Sequence, residues 1–280
     1  MSIRIGLLLS RVRQEEKLLL QEAENRNLNI KKIDSRYLKI GLDDKYDFDI
    51  ILEREISHSR ALYALNLFNG AGYKTVNTYD VAMICGNKVI TSKALVDNNV
   101  PTPEIKVAFS KESALEAIEE MGYPVVLKPV VGSWGRLITK VTDRSGAEAI
   151  LEHKEYLGSY YHSIFYIQEF VDKPGRDIRA FVVGGETIGA VYRSSEHWIT
   201  NTAKGAKTSK CELSSELKEI CQKAADSIGK GVLAIDLMES KKGLLVNEIN
   251  YTVEFKNSIE PTGVNIPGKI IDYVISEAKK

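Results

Sequence analysis

The first third of the chain alternates short apolar runs with amphipathic helical segments, and this alternation restricts the fold more than any other feature. The pattern predicts a strand over 3–9, a helix over 13–25 and a second strand over 28–33. A strand, a helix and a second strand in this order form the unit that joins parallel strands. Further strands near 49–52 and 75–77 extend it. We therefore expect an open, Rossmann-like α/β sheet, although the first strand lacks the GxGxxG pattern of a dinucleotide site.

Turn-forming residues separate two further regions. Two prolines in the segment 98–104 end the preceding helix. A small region of strands and helices follows and closes near residue 171. The last region contains two predicted hairpins, turning at 184–186 and 241–243, with helices after each. We expect a mixed α/β chain of three domains, which span residues 1–97, 98–174 and 175–280.

Composition excludes several classes of protein. The chain carries 38 basic and 38 acidic residues, a balance that argues against a general nucleic-acid binder. No apolar run approaches the roughly 20 residues of a transmembrane helix, and the N-terminus becomes charged too early for a secretory signal. Cys85, Cys211 and Cys221 lack the spacing of a zinc site. We expect a soluble cytoplasmic protein without a nucleic-acid or membrane partner.

Three polar residues of the last predicted hairpin are candidate metal ligands. Strand alternation places Val246, Glu248 and Asn250 on one face and Asn247 on the other. Asp236 lies in the apolar partner strand, where an unpaired carboxylate is costly to bury. Asp236, Glu248 and Asn250 together offer the hard oxygen ligands that Mg²⁺ prefers. Ordinary hydrogen bonds at the strand ends are the alternative that this triplet alone leaves open.

Candidate phosphate-binding groups lie upstream. Gly132–Arg136 forms a short glycine-containing loop between strands, whose backbone amides can approach phosphate oxygens. It is not a Walker A loop, because GxxxxGK[ST] is absent. Lys128 ends the preceding strand, and Lys88 opens a helix. Taken singly, the loop is also consistent with a tight turn, and each lysine with a solvated surface charge.

Two more segments combine polar and apolar groups in a way suited to a nucleotide. Gln168–Val171 mixes polar edges with apolar faces, as an adenine-binding hinge requires, although a half-buried strand end is the alternative. Arg179 and Arg193 lie on predicted strands, and a planar guanidinium can hold a phosphate or carboxylate with two hydrogen bonds. Asn201, in the loop that follows, is within reach of the same anion.

Taken in order, Lys88, Lys128, GSWGR, QEFV, GRDIR, Asp236 and NEIN resemble the ATP-grasp superfamily along essentially the whole chain. The chain is most similar to the RimK/LysX branch, and within it to the α-aminoadipate–LysW ligases. The segments that carry this likeness are CGNK at 85–88, PVVLKPVVGSWGR at 124–136, EHWITNTAKG at 196–205 and NEINYTVEFKNSIEPTGVNIPG at 247–268. The resemblance implies an N-terminal preATP-grasp domain, a small central domain and a C-terminal domain.

The resemblance also implies a reaction. An ATP-dependent carbon–nitrogen ligase of this branch joins the γ-carboxyl of the C-terminal glutamate of LysW, a small acidic amino-group carrier protein, to the α-amino group of α-aminoadipate. The carboxylate first takes the γ-phosphoryl group of ATP, and the amine then displaces phosphate. ATP and two Mg²⁺ ions are the implied cofactors, lysine biosynthesis the implied pathway, and a homo-oligomer (dimer or tetramer) the implied assembly.

Residue roles follow from the resemblance by position. The implied metal ligands are Asp236, Glu248 and Asn250, and the implied catalytic residues are Arg193, Lys128 and Arg179. The implied nucleotide-binding residues are Lys88, Lys128, Gly132, Ser133, Trp134, Gly135, Arg136, Leu137, Gln168, Glu169, Phe170, Val171, Arg176, Asp177, Arg179 and Asn201. The implied substrate-binding residues are Arg193, Thr202, Ala203, Glu254, Phe255, Lys256, Asn257 and Ser258.

The pair at positions 257 and 258, in the stretch after Phe255, bears on which amino acid is joined. Aminoadipate ligases of this branch carry Asn and then Thr or Ser there, whereas the glutamate ligases named ArgX carry Gly-Phe; this chain has Asn257-Ser258. One methylene changes discrimination by only about 1–3 kcal/mol, so glutamate or dual specificity stays open. A RimK-like glutamate ligase and a non-catalytic ATP-binding module are further alternatives.

Overall fold

The computed structural model describes residues 3–132, 137–157, 163–200 and 205–280. The first sheet is parallel, with the spatial order β2-β1-β3-β4. Its strands are β1 (Ile5–Leu9), β2 (Ile30–Asp34), β3 (Ile50–Glu53) and β4 (Lys74–Val76). The helices of this region are α1 (Gln14–Asn25), α2 (His58–Gly70), α3 (Tyr79–Cys85) and α4 (Lys88–Asp97). The predicted Rossmann-like sheet is confirmed, and its strand order reverses at β1, which opens a crevice at the carboxyl ends of β1 and β3.

The second sheet is antiparallel, with the order β5-β8-β6-β7. Its elements are β5 (Ile105–Ala108), α5 (Lys111–Met121), β6 (Val125–Lys128), β7 (Thr139–Val141), α6 (Arg144–Leu157) and β8 (Phe165–Glu169). Ser110 caps α5, because its Oγ accepts the Ser113 N–H at 3.1 Å. Both helices pack on the sheet through a small apolar core that includes Ala114, Leu127 and Leu151.

The third sheet is antiparallel, with the order β11-β10-β9-β12-β13. Its strands are β9 (Arg176–Val183), β10 (Glu186–Ser194), β11 (Lys207–Cys211), β12 (Val232–Ser240) and β13 (Gly243–Asn250). The helices of this region are α7 (Ser215–Ile228), α8 (Ile259–Thr262) and α9 (Ile266–Lys279), with a 3-10 turn at Lys256–Ser258. Both predicted hairpins are confirmed by the antiparallel registers.

One prediction about strand faces was wrong. Asp236 pairs with Glu248, but the next residue, Leu237, pairs with Val246, so Asn247 is the extra residue of a β-bulge. The bulge places Val246 in the apolar core rather than on the face of Glu248. Glu248 and Asn250 share a face as expected, because the alternation resumes after the bulge.

The C-terminal helix completes the first sheet. In α9, Ile270 and Val274 pack in one apolar cluster with Ile5 of β1 and Leu19 of α1. The three sheets fall into the three predicted regions, while this helix returns from the third to the first. The domain boundaries at 97/98 and 174/175 stay a prediction. None of the helices in the described ranges is both long and apolar enough to cross a membrane.

Asn77, just after β4, joins the first sheet to the third. Its side-chain nitrogen donates to the carbonyls of Val232 and Tyr251 at 2.9 and 2.7 Å, and its oxygen accepts the Val232 N–H at 2.7 Å. A Cβ at Gly231 would lie 2.0 Å from that oxygen, so glycine is required there. One buried amide therefore satisfies three backbone groups of the third sheet and the segment that follows it.

We predict that Asn77→Ala lowers the free energy of unfolding by about 2–4 kcal/mol, because it leaves these buried backbone groups without partners. Denaturant unfolding measures the change. Asn98→Ala is the control, since that exposed side chain makes one hydrogen bond, to the carbonyl of Ala94; its cost should stay below about 1 kcal/mol. Equal effects of the two substitutions would contradict the account.

Candidate functional site

A cavity of about 220 Å³ lies between the second and third sheets. Strands β6 and β8 supply one wall, β12 and β13 supply the other, and the segments 170–177 and 195–200 close the sides. Its apolar lining comprises Val126, Ile138, Phe170, Val171, Trp198, Ile199 and Met238. Its polar lining includes Lys128, Gln168, Lys173, Asp177, Asn247 and Glu248. A largely apolar pocket with a few convergent polar groups is the usual form of a ligand site.

Aromatic side chains form the apolar end of this cavity. Phe170 meets Trp198 edge to face, with ring centroids 6.1 Å apart. The ammonium of Lys140 lies 3.6 Å from the centroid of the Phe170 ring. A flat aromatic base fits such a surface, and Gln168, Phe170 and Val171 of the predicted hinge line the cavity. The sequence prediction missed Lys140 and Trp198, which contact the hinge only in the folded chain.

Lys128 is the buried cation at the polar end. Its ammonium donates to Gln168 Oε1 at 2.7 Å and to Asn247 Oδ1 at 2.8 Å. Burial lowers the pKa of Lys128 to about 8, although the nearby Glu248 carboxylate opposes this shift. Its two partners are neutral amides, so the charge is hydrogen-bonded but not neutralised. An anion such as a phosphate would supply the missing negative charge.

Lys88 brings the glycine-containing loop to the same place. Its ammonium donates to the carbonyl of Gly132 at 2.8 Å and lies 3.4 Å from Glu248 Oε1. The preceding Asn87 caps α4 and forms a bridge with Val131. The start of the loop is thus fixed beside the helix N-terminus, and Lys88, Lys128 and Glu248 are brought together.

Two further predicted nucleotide contacts, Leu137 and Glu169, lie among the described residues. Leu137 is exposed and has φ +57°. Glu169 accepts the N–H of Glu104 at 2.9 Å and so holds the residue that precedes β5. The remaining predicted loop contacts, Ser133, Trp134, Gly135, Arg136, Asn201, Thr202 and Ala203, lie outside the described residues.

A buried charge network crosses the third sheet. Arg179 binds Asp236 with two hydrogen bonds of 2.8 Å, and Arg193 lies 3.1 Å from the same carboxylate. Arg193 also binds Asp177 with two hydrogen bonds, of 2.7 and 2.9 Å. Burial opposes ionisation of both Asp236 and Arg193, but the opposite charges prevail: the pKa of Asp236 is lowered and that of Arg193 is raised. Both groups therefore stay charged.

Strand alternation explains which predicted residues share this network. Asp177 and Arg179 are two apart on β9, so they lie on one face beside Asp236. Arg176 belongs to the opposite face, where it binds Glu239 and stacks 3.8 Å from the centroid of the Tyr192 ring. The structure does not bring Arg176 together with the other predicted nucleotide contacts.

The three candidate metal ligands meet on that charged face. Glu248 pairs with Asp236 across the strands, and Asn250 pairs with Ala234 two residues away. Asn250 Nδ2 is buried and has no hydrogen-bond partner among the described residues. Two carboxylates and an amide fit Mg²⁺, which takes hard oxygen ligands and completes its coordination with phosphates and water. No group of three or more His, Cys, Asp or Glu in the described ranges forms a metal cluster of its own.

The segment after β13 reaches the crevice of the first sheet. Phe255 and Ser258 are buried, whereas Lys256 and Asn257 are exposed and Glu254 is half-buried. Thr208 Oγ1 donates to the carbonyl of Asn257 at 3.0 Å. These five predicted substrate contacts therefore lie on one segment, which begins four residues after Asn250.

Known proteins share this architecture along the whole chain. Residues 85–274 match the RimK-like ATP-grasp domain, and residues 5–84 match the LysX preATP-grasp domain. The chain is 38% identical to the α-aminoadipate–LysW ligase LysX of Saccharolobus solfataricus, over 96% of this chain and 99% of that protein. It is 34% identical to the glutamate–LysW ligase ArgX of Sulfolobus acidocaldarius, over 97% and 98%.

A solved structure gives the same result. The crystal structure of a RimK-domain ATP-grasp protein from Sphaerobacter thermophilus superposes with a TM-score of 0.83 at 26% identity, over 97% of this chain and 99% of that one. The predicted ATP-grasp fold and RimK/LysX relationship are confirmed.

We predict that nucleotide binding at pH 8–9 takes up a proton at Lys128. The free site holds this lysine at a pKa of about 8, so it is largely neutral there, and phosphate charge will raise the pKa. Titration calorimetry in buffers of different ionisation enthalpy measures the uptake. Lys128→Met should abolish it, and the more exposed control Lys106→Met should not. Equal uptake by the wild type and Lys128→Met would contradict this assignment.

Proposed function

The chain belongs to the RimK-like ATP-grasp family and is an ATP-dependent carbon–nitrogen ligase, and on that premise we propose that it joins a carrier-protein carboxylate to α-aminoadipate. The donor is the γ-carboxyl of the C-terminal glutamate of a small acidic LysW-type carrier, and the acceptor is the α-amino group of aminoadipate. The products are the amide, ADP and phosphate. This places the enzyme in lysine biosynthesis.

The main support is the relatives together with one residue pair. Three LysX relatives are 36–38% identical over nearly the full chain, and the two ArgX relatives are 33–34% identical. Because these two ranges of sequence identity lie close together, identity alone does not distinguish aminoadipate from glutamate as the acceptor. Asn257-Ser258 supports aminoadipate, since two small polar residues leave room for a side chain one methylene longer than glutamate.

The site geometry supports phosphoryl transfer from ATP. A carboxylate oxygen of the donor attacks the γ-phosphorus, ADP leaves, and the amine nitrogen then attacks the acyl carbon while phosphate leaves and the amine loses a proton. Such a path needs charge neutralisation and alignment more than a protein nucleophile. We propose that Lys88 and Lys128 hold the phosphates and that the apolar end of the cavity binds adenine.

Asp236, Glu248 and Asn250 are the residues that would hold Mg²⁺, which supplies further neutralisation of phosphate charge when bound. Arg179 and Arg193 hold Asp236 in place. Arg193 is 2% exposed and its Nε and Nη2 are engaged by Asp177, so positioning of Asp236 is the role that its contacts favour. Direct contact with the substrate or the acyl phosphate stays a prediction, as do the homo-oligomeric assembly and the cytoplasmic location.

The predicted outcome of a turnover assay is carrier-dependent ADP release with aminoadipate. We expect kcat/KM for aminoadipate to exceed that for glutamate by about tenfold or more, which corresponds to the value of one methylene in a fitted pocket. Exchanging Asn257-Ser258 for Gly-Phe should reduce or reverse the preference.

The same assay separates the alternatives. Good carrier-dependent turnover with glutamate and none with aminoadipate would overturn the acceptor assignment in favour of an ArgX-like enzyme. Glutamate transfer to a protein tail other than the carrier would indicate a RimK-like enzyme. Nucleotide binding without turnover under any combination of carrier and amine would indicate a non-catalytic module.

A further inference from the structure

A buried arrangement of two arginines and a glutamate lies at the carboxyl ends of β1 and β3, outside the nucleotide cavity. Glu16, in the first turn of α1, is 0% exposed and accepts from both arginines. Arg13 binds it with two hydrogen bonds, of 3.0 and 2.9 Å, and Arg54 donates its Nε–H at 2.9 Å. We call Arg13, Glu16 and Arg54 the arginine–glutamate triad.

Within the triad two cations meet one anion, and the carboxylates of Glu15 and Glu254 also lie near Arg13. Burial would raise the pKa of Glu16, but the two arginines lower it, so the carboxylate is ionised. Arg13 also stays charged, because the surrounding carboxylates outweigh burial and raise its pKa. Two guanidinium ions therefore share one carboxylate. Nη2 of the buried Arg54 lies 2.9 Å from Glu16 but makes no hydrogen bond of acceptable geometry with the described residues.

Arg13 exposes the part of this charge that a ligand can reach. Its Nε and Nη2 are held by Glu16, while Nη1 contacts Glu254 Oε1 at the long distance of 3.4 Å. The side chains are 15% exposed for Arg13 and 34% for Glu254. A half-exposed carboxylate at 3.4 Å is a weak partner, so another carboxylate can replace it at little cost, with Glu254 turning to solvent.

The triad and the neighbouring Glu15 and Glu53 contact the segment that precedes Asn257-Ser258. Arg54 lies over the Phe255 ring, 5.9 Å from its centroid, and Glu15 accepts the Lys256 N–H at 3.4 Å. Thr252 donates to Glu53, the last residue of β3, at 3.1 Å. The same segment extends from the strand of Glu248 and Asn250. Arg13 therefore contacts, through Glu254, the segment that joins Asn250 to the pair proposed to select the amino acid.

We propose that Arg13 binds a carboxylate of the acceptor amino acid, which displaces Glu254 from Nη1. Glu16 holds the guanidinium in position and Arg54 holds Glu16, so the site is preorganised. Arg13 attracts the carboxylate of the amino acid. In the absence of the amino acid, Glu254 is the partner of Arg13 Nη1. This inference rests on the proposed function, because it assigns a contact to that reaction's acceptor.

Steady-state kinetics with carrier, Mg²⁺ and ATP test the inference, using whichever of aminoadipate and glutamate the wild type prefers. Arg13→Met should raise KM for the amino acid about 10- to 100-fold, as expected for loss of a charge-assisted hydrogen bond, with KM for ATP and carrier within about twofold of wild type. Glu254→Gln should lower KM for the amino acid, because it removes the carboxylate that competes for Arg13 Nη1. The matched control is Arg11→Met, which removes an exposed arginine two residues away and should change none of these constants.

A second arm changes the acceptor amino acid and compares the wild type with Arg13→Met. The α-amide and the side-chain amide of the acceptor each lack one carboxylate charge, and one of them should lose 10- to 100-fold in kcat/KM with the wild type but little with Arg13→Met. That analogue identifies the carboxylate bound. If KM for the carrier rises instead of KM for the amino acid, Arg13 binds the carrier tail and the proposal is wrong.

The remaining outcomes are also decisive. If the wild type turns over and both amides behave alike in the wild type and Arg13→Met, the inference fails while the proposed function stands. If the wild type uses neither amino acid with the carrier, the proposed function fails, and the inference fails with it. Arg13→Lys guards against misfolding of Arg13→Met, because it keeps a positive charge beside the Glu16 carboxylate. It too should raise KM for the amino acid, since a lysine cannot reproduce the planar fork of a guanidinium.

Discussion

The site depends on one buried carboxylate, that of Asp236. It is 4% exposed and stays ionised because Arg179 binds both of its oxygens and Arg193 approaches one of them. A carboxylate of this kind would be expensive to bury alone, and removing a single partner would leave an uncompensated charge. Asp236 on β12 therefore depends on the cations that β9 and β10 supply, Arg179 and Arg193.

The third sheet meets this requirement with one face that is apolar at one end and charged at the other. Toward one end the face is apolar, with Phe181, Val191 and Ala234 packed against the first sheet and α9. Toward the other end of the same face lie Arg179, Arg193 and Asp236, each two residues away from one of these apolar residues on its own strand. The apolar half anchors the charged half, so the charges are held by strands and not by loops. Preorganised dipoles and charges of this kind lower the cost of stabilising a charged transition state.

Local pattern in the sequence predicted much of this. The strands and helices follow the apolar periodicity closely, and Lys128 ends a strand, Val125–Lys128, as predicted. Alternation also placed Glu248 and Asn250 beside Asp236. It failed at Val246, because a bulge at Asn247 shifts the register, and local periodicity does not encode an extra unpaired residue. The same bulge allows Asn247 to reach Lys128, a contact between residues 119 apart.

Contacts between distant segments account for the rest of what the sequence did not predict. Arg13 and Glu254 are 241 residues apart, and nothing in either segment indicates the other. Resemblance predicted residues of a nucleotide site, but it was silent on the arginine–glutamate triad. Arg176 illustrates the opposite case: it lies within a matching motif, yet its strand position directs it to Glu239 on the other face.

We propose that the face shared by Asp236, Glu248 and Asn250 binds the metal that accompanies ATP. The most direct measurement is the dissociation constant of Mn²⁺, determined by electron paramagnetic resonance in the presence of a non-hydrolysable ATP analogue. We predict that Glu248→Gln weakens Mn²⁺ binding at least about tenfold, whereas Glu239→Gln, on the same hairpin but bound to Arg176, leaves it unchanged. Equal Mn²⁺ affinity in the wild type and both variants would contradict the account.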